Sequence, residues 1–186
     1  VRILISLLLV LSLPGWASDT LQFAMHNADG KAVTQDNYRG QYLLMAVGYT
    51  TCPDVCPTTL MVMTGVMHKL GADADKLTPV FVSIDPNRDT PEKLKKYVGY
   101  FHPGIEALIG TADQTQAIAD NLGATYGYQL DGLPLSPPFP ARYEVYHSAY
   151  FYLYDGNGAL LDVFGYGSSA SHMAASIAQY LNQEAL

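Results

Sequence analysis

Two short apolar runs, LLMAVGY (43–49) and PVFVSI (79–84), constrain this chain more than anything else in it. Neither alternates polar with apolar residues, so each reads as a strand buried on both faces. Between them Leu60, Met63, Met67 and Leu70 recur at helical spacing, and Gly71 ends the run. A buried strand, a helix and a second buried strand make the unit of a parallel sheet with a helical crossover.

The alternation continues downstream. DTPEKLKKYVGYF (89–101) has Thr90 placed as an N-cap and Pro91 at the first helical position. ALIG (107–110) reads as a short strand, and residues 112–122 as a helix stopped by Gly123. HSAYFYLY (147–154) and ALLDVFGY (159–166) flank the turn DGNG, which predicts a hairpin. A closing helix is expected from about Ser169 to Asn182, with Met173, Ile177 and Leu181 on one face and Ala174 and Ala178 beside them. Upstream, LQFAMHNADGKAV (21–33) predicts an N-terminal hairpin. The proline-rich stretch YQLDGLPLSPPFPARYE (128–144) has no period and reads as one long loop. The expectation is a single α/β domain over residues 18–186, with a mixed sheet and helices on both faces, plus the hairpin. A chain of 186 residues is long enough for one substantial core.

The first residues set the compartment. One Arg precedes an apolar run from Ile3 to Leu13, followed by Pro14-Gly15-Trp16-Ala17. That is the charge, apolar core and small-residue pattern of a secretory signal, with cleavage expected after Ala17. An uncleaved anchor is the alternative, although an eleven-residue run is short for a bilayer. No Cys follows the run to accept a lipid. The formal net charge is −7, and no basic run exists, which argues against nucleic-acid binding.

Both cysteines fall in YTTCPDVCPTT (49–59), at the carboxyl end of the first buried strand and the mouth of the following helix. Ligand and catalytic sites of open α/β sheets gather at that place. A disulfide between Cys52 and Cys56 closes a tiny loop and adds little chain-entropy stabilisation. Tetrahedral structural zinc calls for four ligands, often more cysteines than this chain has. The helix N-terminus favours thiolate, which suits either attack on a disulfide or capture of a soft metal. Two thiolates with one imidazole suit copper.

Five histidines compete for that third place. His26 lies in a turn, His68 points away from the apolar face of its helix, His102 ends a helix, and His172 falls in the first turn of the last one. His147 stands at the head of an apolar strand after the proline-rich loop, where position alone divides evenly between an edge residue and a ligand. Met63 and Met67 belong to the core stripe; Met61 is off it.

GYTTCPDVCPTTL (48–60), VSIDPNRDTPEKLKKYV (82–98) and HSAYFYLYDGNGALLDVFG (147–165), in this order, resemble the Sco/SenC family. These are thioredoxin-like copper-binding proteins that assist assembly of cytochrome c oxidase. The resemblance implies a thioredoxin-like fold and a single copper, Cu(I) or Cu(II), bound by Cys52, Cys56 and His147. It places Asp85 near the site, where it could orient a ligand or tune a thiol; a turn-forming role before Pro86 is the alternative. Pro53 and Asp54 are implied to shape the loop. Many relatives carry Asp before the histidine, and here Tyr146 stands there.

The implied function is an exported copper metallochaperone rather than an enzyme, periplasmic or on the outer face of the cytoplasmic membrane. It would deliver copper to the dinuclear site of an oxidase subunit or to another copper protein. The alternative is a thiol–disulfide oxidoreductase, with Cys52 and Cys56 as the redox pair and a thiol reductant protein as a further partner. Two observations count against it as the main role: the spacing is not C-x-x-C, and Tyr146 stands where thioredoxins have a cis-proline. A peroxidase would need an activating group tied to the thiol; Arg88 and Arg142 are candidates without such a tie.

Overall fold

A computed structural model describes residues 20–183. The expected signal segment, residues 1–17, lies outside them. In chain order the elements are β1 (Ala24–Asn27), β2 (Ala32–Thr34), β3 (Tyr42–Gly48), α1 (Val55–Leu70), β4 (Leu77–Ser83), α2 (Pro91–Phe101), β5 (Glu106–Ile109) and α3 (Ala112–Leu122). They continue as β6 (Tyr126–Leu130), β7 (Leu133–Pro134), β8 (Glu144–His147), β9 (Tyr150–Tyr154), β10 (Leu160–Gly165) and α4 (Ala170–Gln183).

Seven strands form one sheet in the order β10-β9-β3-β4-β5-β1-β2. β3, β4 and β5 run parallel, joined by the crossover helices α1 and α2, while β9, β10 and the β1–β2 hairpin pair antiparallel at the two sides. The sheet is mixed and thioredoxin-like, as expected, and the N-terminal hairpin extends it beside β5. β3 is buried at every position, which is why its sequence does not alternate. α1 packs on α4 and α2. Its buried stripe is Leu60, Met63, Val66 and Leu70; Met67 is only partly covered, so Val66 takes the place expected of it.

The capping residues act as their chemistry dictates. Thr90 accepts from the Lys93 N–H, and Thr111 and Gln114 form a reciprocal capping box. Gly123 ends α3 in the left-handed region at φ 66°.

One expectation is corrected. Residues 128–144 are not a single loop. β6, β7 and β8 form a separate three-stranded antiparallel sheet in the order β7-β6-β8. Prolines break the middle of the segment, but its flanks pair, and four aromatic rings pack on one another there, with buried Tyr143 and Val145 joining the apolar core of the domain. Tyr128 packs on Phe139 and Tyr143 with ring centroids 4.7 and 5.6 Å away, and Tyr126 packs on Tyr128 at 5.8 Å. A second correction follows. His147 does not head the strand after the loop; it is the last residue of β8, paired with Tyr126, and Ser148 and Ala149 separate it from β9.

Candidate metal centre

β3 ends at Gly48, and the chain turns through Tyr49–Pro53 before α1 begins. Gly48 is needed there: a Cβ at this position would come within 2.8 Å of Cys56 Sγ and 2.5 Å of the Phe81 ring. Its absence lets the first turn of α1 settle on the sheet, with the Cys56 sulfur against the strand end. Cys56 is 1 % exposed and Cys52 9 %, so one sulfur is interior and the other lies at the surface's edge.

The N-cap residue of α1, Asp54, makes no side-chain capping bond. Cys52 Sγ takes over part of that duty by accepting from the Cys56 N–H at 3.4 Å. The Cys56 thiol hydrogen bond, with backbone N–H groups and Tyr49 adding to it, pulls the Cys52 thiol down to about 4 against the cost of its burial. The same partnership and deeper burial push Cys56 up. In the reduced pair Cys52 is the thiolate and Cys56 keeps its proton.

His147 arrives from the small sheet. Its Nδ1 lies 3.0 Å from the Ser148 carbonyl oxygen. A carbonyl only accepts, so Nδ1 carries the proton and Nε2 keeps a free lone pair in the neutral ring. Nε2 faces Cys56 Sγ at 3.8 Å. Cys52 Sγ, Cys56 Sγ and a His147 nitrogen all lie within 4.8 Å of one another, the sole such group among the described residues that could hold a metal ion. Fixing the tautomer through the other ring nitrogen is how ligating histidines are commonly oriented.

The remaining candidates separate from this group. Asp85 is fully buried, with one carboxylate oxygen accepting from Tyr143 Oη and the other from Arg88 Nε, each at 2.5 Å. Arg88 is committed to that ion pair and to the Tyr143 carbonyl, and Arg142 is exposed. His68 and His102 stack edge-on with centroids 5.6 Å apart, and His172 packs on Phe164. Met61 is 65 % exposed on α1. Tyr146 lies across β6, where a Cβ on its partner Gly127 would overlap its ring.

Two contributors were not visible as such in the sequence. Gly48 reads as an unremarkable strand end, although a Gly beside a cysteine motif is the available signal of close approach. Asp89 reads as part of a helix approach. It is buried, and its carboxylate accepts from Thr50 N–H and Oγ1 and from Ser83 Oγ, which ties the cysteine-bearing loop to the end of β4. Burial pushes its carboxyl up.

The chain matches the SCO1/SenC family over residues 17–182. A SCO2-like protein of Rickettsia conorii is 35% identical over 151 residues, covering 81% of this chain and 71% of its own. The mitochondrial protein SCO2 of Saccharomyces cerevisiae is 35% identical over 144 residues, and there the match spans 77% of this chain but only 46% of the relative. Among solved structures, Bradyrhizobium japonicum ScoI with copper bound superposes with a TM-score of 0.75 at 32% identity, covering 87% of this chain and 98% of that one. With the family matched over most of its length and relatives above 30% identity, the chain is a member of the SCO1/SenC family.

Proposed function

We propose that this protein is an exported copper metallochaperone that binds one copper ion through Cys52, Cys56 and His147 and hands it to a copper-receiving subunit of cytochrome c oxidase. The observation that carries the reading is the convergence of two sulfurs with a bare imidazole nitrogen, its tautomer fixed from behind by Ser148. Thiolates select Cu(I), and imidazole serves both oxidation states. Three protein ligands leave room for an incoming ligand from the recipient, which transfer by ligand exchange requires. Copper-bound relatives of the same fold support the choice of metal. Export follows from the leader pattern of residues 1–17, with residues 18–186 as the mature domain in the periplasm or at the outer face of the membrane.

The test is anaerobic titration of the reduced protein with Cu(I) and with Cu(II). One equivalent of each binds, and Cu(II) gives intense sulfur-to-copper charge-transfer absorption. Binding that survives intact after both cysteines are replaced by Ser would overturn the assignment.

The low thiol of Cys52 at the surface's edge, with Cys56 behind it, favours a second use of the same sulfurs. Cys52 thiolate attacks a partner disulfide, and Cys56 then releases the partner as a dithiol. The thiolate–thiol pair gives up two electrons and the one proton of Cys56 and ends as a disulfide, while the partner disulfide takes both electrons and draws its second proton from solvent. A mixed disulfide trapped by Cys56→Ser would support this role; free exchange by the Cys52→Ser variant would exclude Cys52 as the attacking thiol.

A further inference from the structure

The thiol half of the copper site is carried by the loop and helix that follow β3 and the imidazole half by the small sheet, and the junction between the two is built around one buried carboxylate. Asp85 holds Tyr143 Oη on one oxygen and Arg88 Nε on the other, each at 2.5 Å. Arg88 Nη1 donates to the Tyr143 carbonyl at 2.9 Å, and its guanidinium lies 3.8 Å from the centre of the Tyr143 ring. Tyr143 is thus gripped at its hydroxyl, its ring and its backbone by two residues of the segment after β4. Tyr143 immediately precedes β8, four residues before His147. Two further bonds cross the same seam: Tyr128 Oη donates to the Ile84 carbonyl at 2.7 Å, and Tyr49 Oη to the Val145 carbonyl at 3.3 Å.

We propose that Asp85 and Arg88 are positioning residues for copper, acting through Tyr143 to set where β8 presents His147 to the two cysteines. This rests on the reading of His147 as a ligand. Among the described residues, β8 pairs only with β6 of the small sheet. Apart from the chain connections, side-chain contacts across the seam fix it to the body of the protein. The thiols need no such latch, because β3 and α1 hold them. Loosening the latch therefore weakens the imidazole arm and leaves the thiolates in place. Cu(II), which draws on the imidazole nitrogen, is affected; Cu(I), which two thiolates satisfy, is not.

The experiment compares Tyr143→Phe, Asp85→Asn and Arg88→Lys with the wild type and with Gln129→Ala. The last removes an exposed bond within the small sheet, Gln129 to Glu144, without touching the latch. Each protein is loaded with Cu(II) or Cu(I). The readouts are the charge-transfer spectrum, the imidazole nitrogen hyperfine coupling in paramagnetic resonance, and the rate of copper loss to a chelator. The latch variants are expected to lose Cu(II) about 10- to 100-fold faster, as disturbed ligand orientation does elsewhere. Their nitrogen coupling weakens and their Cu(I) retention is unchanged, while Gln129→Ala behaves as wild type. Wild-type Cu(II) spectra and loss rates in folded Tyr143→Phe overturn the latch, as does an equal loss of Cu(I) and Cu(II), which marks a general loss of structure. His147→Ala separates the two levels. If it keeps the nitrogen coupling and tight Cu(II), the ligand reading itself fails; if it loses both while the latch variants do not, only the latch fails.

Discussion

The thiol half and the imidazole half of the metal centre are held by different physics. Cys52 and Cys56 follow β3, a strand buried at all seven positions and hydrogen-bonded between β4 and β9. Cys56 itself is in the first turn of α1, which packs on two other helices. His147 ends a four-residue strand in a three-stranded sheet filled by four aromatic rings. The first half is fixed by strand pairing and helix packing at the centre of the domain, the second by the apolar contacts of Tyr143 and Val145 and a handful of hydrogen bonds across a seam. On the proposed copper-transfer reading, this division would let the thiolates retain the ion while the imidazole is the ligand most easily withdrawn.

The largest expected effect comes from removing a ligand on either side. Cys56→Ser abolishes retention of both oxidation states, because one thiolate with an imidazole no longer makes a soft site. His147→Ala keeps Cu(I) and loses the Cu(II) charge-transfer bands. Competition with a Cu(I) chelator, run beside Cu(II) titration, measures the contrast. Equal losses in the two variants would remove the distinction between the halves.

A smaller effect tests the rigidity of the thiol side. Gly48→Ala drives a methyl into the Phe81 ring and towards Cys56 Sγ. Neither neighbour has open space, so the substitution is expected to cost about 1–3 kcal/mol, the usual range for overpacking a filled core. Chemical denaturation measures it, and the charge-transfer band should shift as the sulfur moves. An unchanged midpoint and spectrum would mean that the sulfur is less tightly seated than the geometry implies.

The same asymmetry decides what was legible in the sequence. Continuous apolar runs and helical stripes made β3, β4, α1 and α4 readable, because burial on both faces leaves a direct trace in composition. Thr90 and Gly123 announced helix ends by local chemistry. The small sheet left no comparable trace. Its strands are two to five residues long, too short to show a period of two, and prolines fall between them. The residue pattern therefore places His147 at the head of β9 instead of the end of β8, although the resemblance singles it out. Asp85 and Arg88 lie three residues apart in what reads as a turn, and nothing local reveals that they meet Tyr143, more than fifty residues away. Contacts of that span are set by tertiary packing, which one sequence does not display.

Acidity divides the two cysteines as well. Cys52, held down to about 4, remains thiolate as the pH falls until that value is approached. An ordinary thiol, near about 8.5, loses its reactive form roughly tenfold per pH unit below that point. Alkylation of the reduced, metal-free protein should therefore label Cys52 at a rate nearly constant from about pH 8 down to about pH 6, while buried Cys56, pushed up, stays unlabelled. Mapping the labelled peptide checks both statements. A tenfold fall per unit over that interval would show that Cys56 does not stabilise the Cys52 thiolate, and the thiol half would lose its division of labour.

The smallest effect probes the seam at its simplest bond. Tyr128→Phe removes a single hydroxyl that donates to the Ile84 carbonyl, and it preserves the ring that packs on Phe139 and Tyr143. The expected cost is about 1 kcal/mol, typical of the loss of one part-buried hydrogen bond. If the halves are held separately, that loss should appear as faster amide exchange confined to β6 and β8, with β3 and α1 unchanged. Hydrogen exchange followed by mass spectrometry resolves the two regions. Uniformly faster exchange through β3 would show that the small sheet and the core open together, and the imidazole could then not be withdrawn without disturbing the thiolates.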